Sequence, residues 1–231
     1  MVKYVFFDLG LTLVENQMPQ HYMEALNFCG FHITRQMAAR IYHLANKYFM
    51  RERQGELGKG NRQCFEDYVT LVCEIAGNKE KAPLVINALD KMNRPVWRSF
   101  SFTFPVLETL KANGIGTGLI SNWDLNCRQV LKENGLYDYL NPIIVSSEEQ
   151  VEKPEQRIFE IALEKAGVKP EECIYVGDNY YDDAVGSAKL GIKCYIINPA
   201  DYLGIEEIKE TDTEIIADIR EVLDKLGFSR N

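Results

Sequence analysis

Between Pro105 and Leu226 short apolar runs alternate with single helical segments, and this alternation restricts the chain to few folds. The runs are Thr117 to Ile120, Pro142 to Val145, Cys173 to Val176 and Lys193 to Ile197, with Thr213 to Ile216 as a short last member. The helical segments open at Pro105, Asn126, Pro154, Asp182 and Ile219 and are closed by Gly114, Gly135, Gly167, Gly191 and Gly227. Repeated strand–helix–strand units build parallel sheets through right-handed crossovers. The spacing therefore predicts an α/β protein with a doubly wound parallel sheet.

One more strand stands apart at the start. Tyr4-Val5-Phe6-Phe7 is an unbroken apolar run, as expected of a strand covered on both faces, and it stops on a carboxylate, Asp8. From Glu15 to about Phe100 the period is helical. Met37, Ile41, Leu44, Ala45 and Tyr48 form one stripe, Phe65, Val69, Val72 and Ala76 a second, and Leu84, Val85, Ala88, Leu89 and Met92 a third. An earlier helix is expected over Gln20 to Cys29. Thr34 is placed to cap the next, and Gln54 to Arg62, with three glycines, reads as a loop. The expected organisation is a core of residues 1–15 and 100–231, interrupted by an all-helical cap of residues 16–99 with hinges near Glu15 to Gln17 and Arg94 to Phe100.

Four strand ends carry polar groups of a consistent kind. The first ends in Asp8. The next ends in Ser121-Asn122, another leads to Lys153-Pro154, and another ends in Gly177-Asp178 with Asp183 five residues on. In a parallel sheet these ends share one edge, where such sheets bind ligands. Three carboxylates crowded there repel one another unless a cation sits among them, and a hard divalent ion with oxygen ligands, Mg²⁺, fits. The ion would neutralise a phosphate held in line with one carboxylate as nucleophile. Lys153 would balance charge, and Ser121 would donate to phosphoryl oxygens.

Charge and composition narrow the partners. The chain carries a net charge of −8, which argues against nucleic acid. Within it, Glu15 to Arg98 carries twelve Lys and Arg against nine Asp and Glu, a net of +3. Arg40, Arg51 and Arg53 then read either as solvated helix faces or as contacts to an anionic substrate. No apolar run reaches the ~18 residues of a membrane span, and no leader pattern precedes the first strand. Six scattered cysteines without a C-x-x-C pair suit a reducing compartment, so a cytoplasmic protein is expected. His21, His32 and His43 have no ligand spacing and read as surface or packing residues. The expected partner is a small phosphorylated metabolite, with neither nucleic acid nor membrane. Oligomeric state leaves no signal.

The same residues resemble the haloacid dehalogenase (HAD) superfamily, in the subgroup with a helical cap inserted after the first strand. D-L-G-L-T-L at Asp8 to Leu13 resembles its first motif, usually D-x-D-x-T, and L-I-S-N at Leu119 to Asn122 its second. V-E-K-P at Val151 to Pro154 resembles the third, and V-G-D-N-Y-Y-D-D at Val176 to Asp183 the fourth, usually G-D-x-x-x-x-D. The resemblance implies a Rossmann-like core and a Mg²⁺-dependent phosphomonoesterase acting through an aspartyl-phosphate on Asp8. By it, Asp8, Asp178 and the carbonyl of Gly10 hold the metal, Asp183 binds it or one of its waters, and Ser121, Asn122 and Lys153 hold the phosphate. The cap would close over the strand ends as a lid.

One position departs from the pattern. The second motif-one Asp, which protonates the leaving group and then activates water, is Gly10 here. General acid–base help contributes about 10²–10⁴ in rate. Three readings follow: a phosphatase weakened or specialised, relying on good leaving groups or on another group such as Glu15; a metal-independent 2-haloacid dehalogenase-like hydrolase; or a catalytically weak phosphometabolite-binding protein. The paired acids Asp178 and Asp183 favour the first, since halide displacement needs no metal. Trp123, directly after the second motif, packs near the site or beneath it; Trp97 reads as packing at the hinge.

Overall fold

The computed structural model describes residues 1–228. In chain order, β1 (Tyr4–Phe7) and β2 (Val14–Asn16) precede the helices α1 (Met18–Phe28), α2 (Arg35–Glu52), α3 (Arg62–Ile75) and α4 (Ala82–Leu89). There follow β3 (Trp97–Ser99), α5 (Thr103–Ala112), β4 (Gly116–Ser121), α6 (Cys127–Glu133), β5 (Ile143–Val145), α7 (Ser146–Glu149) and α8 (Gln156–Ala166). The chain continues through β6 (Cys173–Gly177), a π-helical turn (Tyr180–Ala184), α9 (Val185–Ala188), β7 (Lys193–Ile197), β8 (Glu214–Ile216) and α10 (Arg220–Lys225). It divides into two compact units, one of Met1–Glu15 with the chain from Trp97 onward, the other of Asn16–Val96. The second division falls three residues before the expected 99/100 boundary, because Trp97–Ser99 is a strand, paired with β2 in a small separate sheet. Of the expected core, residues 229–231 lie outside the described residues.

The first unit is built on a six-stranded sheet of order β5-β4-β1-β6-β7-β8, parallel throughout. Val5, Phe6 and Phe7 are wholly buried because β1 is central and covered on both faces. Alternation sorts them. Val5 and Phe7 face a core completed by Leu107 and Leu110 of α5, Leu131 of α6 and Leu223 of α10. Phe6 faces the opposite core, with Ile120, Tyr175 and Phe159 and Ile158 of α8. Each such aromatic or aliphatic side chain contributes about 1.5–3 kcal/mol by burial. From β1 the chain moves to β4 and β5 on one side, then returns to β6 on the other. The reversal falls at the carboxyl ends of β1 and β6, where Asp8 and Asp178 stand and where sheets of this kind bind ligands.

The helical unit has its own core. Thr34 Oγ1 accepts the Met37 N–H at 3.2 Å to cap α2, and Asn61 Oδ1 accepts the Cys64 N–H at 3.2 Å to cap α3. The buried stripe of α2 is Ala38, Ile41, Ala45 and Phe49, whereas Met37 and Tyr48 of the expected stripe are 44% and 42% exposed. Apolar residues stand on both sides of that line, so the spacing fitted two phases and tertiary packing selected one. In α4, Val85 and Leu89 are buried as expected and Leu84 is exposed. Arg51 pairs with Glu52, and Arg53 with Glu56 and Asp67.

The helix expected over Asp182 to Leu190 differs most from expectation. It begins two residues earlier, in the π-helical turn, capped by Asn179 Oδ1, which accepts the N–H groups of Tyr181 and Asp182. A π turn holds one more residue than an α turn, and this one buries both Asp182 and Asp183.

Candidate active site

Register brings the strand ends together. Phe7 pairs with Leu119 of β4 and Val176 of β6, so Asp8 emerges between Ser121 on one side and Gly177-Asp178 on the other. Asp8 still donates its N–H to Val176 O at 2.9 Å. Beyond it the backbone turns sharply: Leu13 and Val14 both donate to Leu9 O, and Leu11 is held at φ 55°, a left-handed conformation side-chain-bearing residues seldom adopt.

Asp8 Oδ1 accepts from the Ser121 hydroxyl at 2.8 Å and from the Lys153 ammonium at 2.9 Å. Lys153 is fully buried and donates two further bonds, to Asp183 Oδ1 at 2.6 Å and Tyr175 Oη at 2.9 Å. Its three N–H donors are thereby all engaged. Tyr175 in turn donates to Ile120 O at 2.7 Å. Asn122 fixes the lysine from its backbone: its Nδ2 donates to Lys153 O at 2.9 Å and its Oδ1 accepts the Lys153 N–H at 2.8 Å. In this geometry the Asn122 side-chain amide positions Lys153.

Burial works against the Lys153 charge, but Asp183 and Asp8 outweigh it and hold the ammonium well above the usual lysine range. Burial pushes the Asp183 carboxyl up, with Lys153 opposing. Asp183 Oδ2 accepts the Asn179 N–H at 2.9 Å, so both its oxygens are occupied within the protein. Asp182 is pushed up to about 7 by burial, with the negative charge of Asp183 and Asp8 adding to the effect and Lys153 opposing it. Asn179 Nδ2 donates to its Oδ2 at 2.7 Å, while Oδ1 is buried without a hydrogen bond. Asp178 is buried directly beyond β6.

Two glycines shape the surroundings. A Cβ on Gly177 would stand 2.1 Å from Asp183 Oδ2, so only glycine lets the buried carboxylate lie against the strand. A Cβ on Gly10 would stand 3.1 Å from Trp123 Cζ3 and 3.6 Å from Trp97 Cη2. The two indoles meet edge to face at 5.0 Å between ring centres. Trp123 is thus beside the first motif, and Trp97 is its packing partner.

Among the described residues, no three carboxylates, cysteines or histidines group closely enough to hold a metal on their own. The donors still suit Mg²⁺, which keeps several waters and is held by one or two carboxylates together with substrate phosphate. Asp8 and Asp178 at neighbouring strand ends, with a backbone carbonyl, make such a set of hard oxygen donors. The unbalanced acids around one ammonium agree with it.

Residues 2–191 match the profile of the haloacid dehalogenase-like hydrolases. The chain belongs to this family. The haloacid dehalogenase-like chain is 25% identical, over 96% of its length and 100% of the other's, to the glyceraldehyde 3-phosphate phosphatase of Methanothermobacter thermautotrophicus. It is 35% identical over 105 residues to haloacid dehalogenase-like hydrolase domain-containing protein 3 of Danio rerio, covering 46% of this chain but only 43% of that protein. It shares its fold with the HAD-hydrolase YfnB of Bacillus subtilis, solved bound to magnesium, at a TM-score of 0.60 and 16% identity over 98% of this chain and 99% of that one. As a haloacid dehalogenase-like hydrolase it combines a Rossmann-like parallel sheet with an inserted helical cap. No helix among its described residues is long and apolar enough to cross a membrane.

Three residues of this haloacid dehalogenase-like site lay outside the sequence-based expectation: Tyr175, Asp182 and Trp97 in its role over Gly10. Tyr175 had one readable signal, a hydroxyl inside an otherwise apolar buried strand. Asp182 follows the acid Asp178 and precedes Asp183, and only the π turn explains why both members of the pair are buried.

Proposed function

We propose that this chain is a Mg²⁺-dependent phosphohydrolase of small phosphorylated metabolites, with Asp8 as nucleophile. The observation that carries the reading is the Asp8 carboxylate held at one oxygen by Ser121 and the buried Lys153, at the carboxyl edge of the sheet. Those two bonds orient the carboxylate and leave its other oxygen to attack phosphorus. Asp8, Asp178 and the Gly10 carbonyl would hold Mg²⁺, with Asp183 behind them anchoring Lys153. The bound ion would supply charge neutralisation of the phosphate.

In the first step Asp8 Oδ2 bonds to phosphorus as the bond to the leaving oxygen breaks, and that oxygen departs with the electron pair. As Asp8 loses its charge, the Ser121 hydroxyl becomes available to a phosphoryl oxygen. Lys153 balances the charge on Asp8 from a position that Asn122 fixes. In the second step water attacks phosphorus, the Asp8–phosphorus bond breaks, the carboxylate is restored and a proton passes to solvent. The phosphatase relative named for glyceraldehyde 3-phosphate and the magnesium-bound structure support this reading.

A panel of phosphorylated metabolites assayed for phosphate release with and without Mg²⁺ tests it. Release should require Mg²⁺, and Asp8→Asn should abolish it with an unchanged circular dichroism spectrum. Full activity in Asp8→Asn would remove the nucleophile assignment. Halide release from 2-haloacids without metal would assign the chain to the other chemistry.

A further inference from the structure

The place beside Gly10 is already filled. Trp123 lies against it with Cζ3 at 3.1 Å from a would-be Cβ, and Trp97 stands behind at 3.6 Å. The Trp123 indole is fixed at several points: its Nε1 donates to Asn126 Oδ1 at 2.7 Å, its backbone N–H donates to Ser146 Oγ at 3.1 Å, and its ring packs on Trp97 and the sheet's core. Asp183, Lys153 and Ser121 around Asp8 have their protons or oxygens committed within the protein. Asp183 is bonded on both oxygens and Asp182 is buried behind Asn179. Lys153 donates all three of its bonds inward, and Ser121 donates to Asp8.

We propose that the site takes phosphoryl donors whose leaving group departs as a stable anion, namely acyl, enol and aryl phosphates, and disfavours alkyl phosphate esters, because the Trp97–Trp123 pair closes the position from which an acid would protonate the departing oxygen. The inference rests on the phosphohydrolase reading and names its substrate class. In the step, Asp8 bonds to phosphorus and the phosphorus–oxygen bond to the leaving group breaks. The leaving oxygen keeps the pair as a carboxylate, enolate or phenolate, with no proton moved. A carboxylate, with a conjugate-acid pKa of about 4, and a phenolate, at about 10, leave unaided far more readily than an alkoxide. Proton donation, about 10²–10⁴ in rate, is needed chiefly for the last. The same closed position withholds a base beside Gly10 from the water of the second step. With a good leaving group, phospho-Asp8 therefore forms faster than it hydrolyses.

The test compares kcat/KM, under saturating Mg²⁺, for para-nitrophenyl phosphate, phenyl phosphate, acetyl phosphate and glycerol phosphate, with stopped-flow measurement of nitrophenolate. The expected result is a fall of at least about a hundredfold from the nitrophenyl and acetyl donors to the alkyl ester, the size of a missing acid. A burst of nitrophenolate approaching one per chain should accompany it. Glycerol phosphate within tenfold of para-nitrophenyl phosphate would overturn the inference and leave the phosphohydrolase reading intact. No release and no burst from any donor would overturn both. The tryptophan assignment is read separately. Gly10→Asp alone should leave the preference in place, whereas Gly10→Asp with Trp123→Ala should raise kcat/KM on glycerol phosphate by about tenfold or more. Equal gains in the single and double variants would overturn it.

Discussion

Lys153 is the residue on which the site's charge balance turns. Its ammonium is enclosed by Asp8, Asp183 and Tyr175, and Asp182 stands nearby with one buried oxygen unbonded. A carboxyl whose folded pKa lies above its unfolded value lowers stability as pH rises from the ordinary carboxylate range, about 4, to the folded value, and the loss is constant above that. For Asp182 that window ends at about 7. Asp182→Asn should therefore stabilise the chain in chelator by about 1–3 kcal/mol above neutrality, the gain vanishing near pH 4. Urea unfolding across pH measures this; a gain independent of pH would mean that charge is not the cause. Asp8 and Ser121 could be picked out from the chain because each stands at the end of an apolar run, and Lys153 and Asp183 because each follows such a run a few residues on, where strand ends share an edge in a parallel sheet. Their contacts of 2.6–2.9 Å are that shared edge made concrete. The indoles over Gly10 were not legible in this way. A tryptophan near a motif fits a core or a site wall equally well, and only three-dimensional packing distinguishes them.

At the scale of elements, β6 and the π-helical turn act as one device. Gly177 lets Asp183 fold back against the strand, and the turn's extra residue carries Asp183 inward toward Lys153. Gly177→Ala would drive a methyl to 2.1 Å from the carboxylate. It should cost about 1–3 kcal/mol in denaturant unfolding and lower kcat more than KM, because Lys153 loses its anchor. Wild-type kinetics in that variant would show that the turn can relax without touching the site. Strand positions were readable along the sheet because each buried run is short and bounded by turn residues. The start of the Tyr180–Ala184 turn was not, since Asn179 caps it through a local side-chain bond and an α-helical period cannot anticipate a wider turn. In α2 the same limit appears as a phase error, with Ala38 and Phe49 inside where Met37 and Tyr48 were expected.

At the scale of the whole molecule, the acids of the sheet edge make metal binding a folding matter. An ion bound only by the native state stabilises it by about 2.7 kcal/mol at a hundred times its dissociation constant. Millimolar Mg²⁺ should raise the melting temperature, and Asp178→Asn should erase most of that rise. A melting temperature indifferent to Mg²⁺ would remove the ion from the proposal. A change of period, from strand–helix alternation to uninterrupted helix, is a long-range property of the sequence that survives errors of phase.

The central strand β1 precedes the helical unit in the chain, yet its partners in the ladder are Gly116–Ser121 and Cys173–Gly177. During synthesis Tyr4–Phe7 therefore waits unpaired while the helical unit, whose core is drawn from contiguous chain, is completed. The nascent chain must shelter a sticky aromatic segment until its later neighbours are made, and the parallel sheet is the last part to assemble.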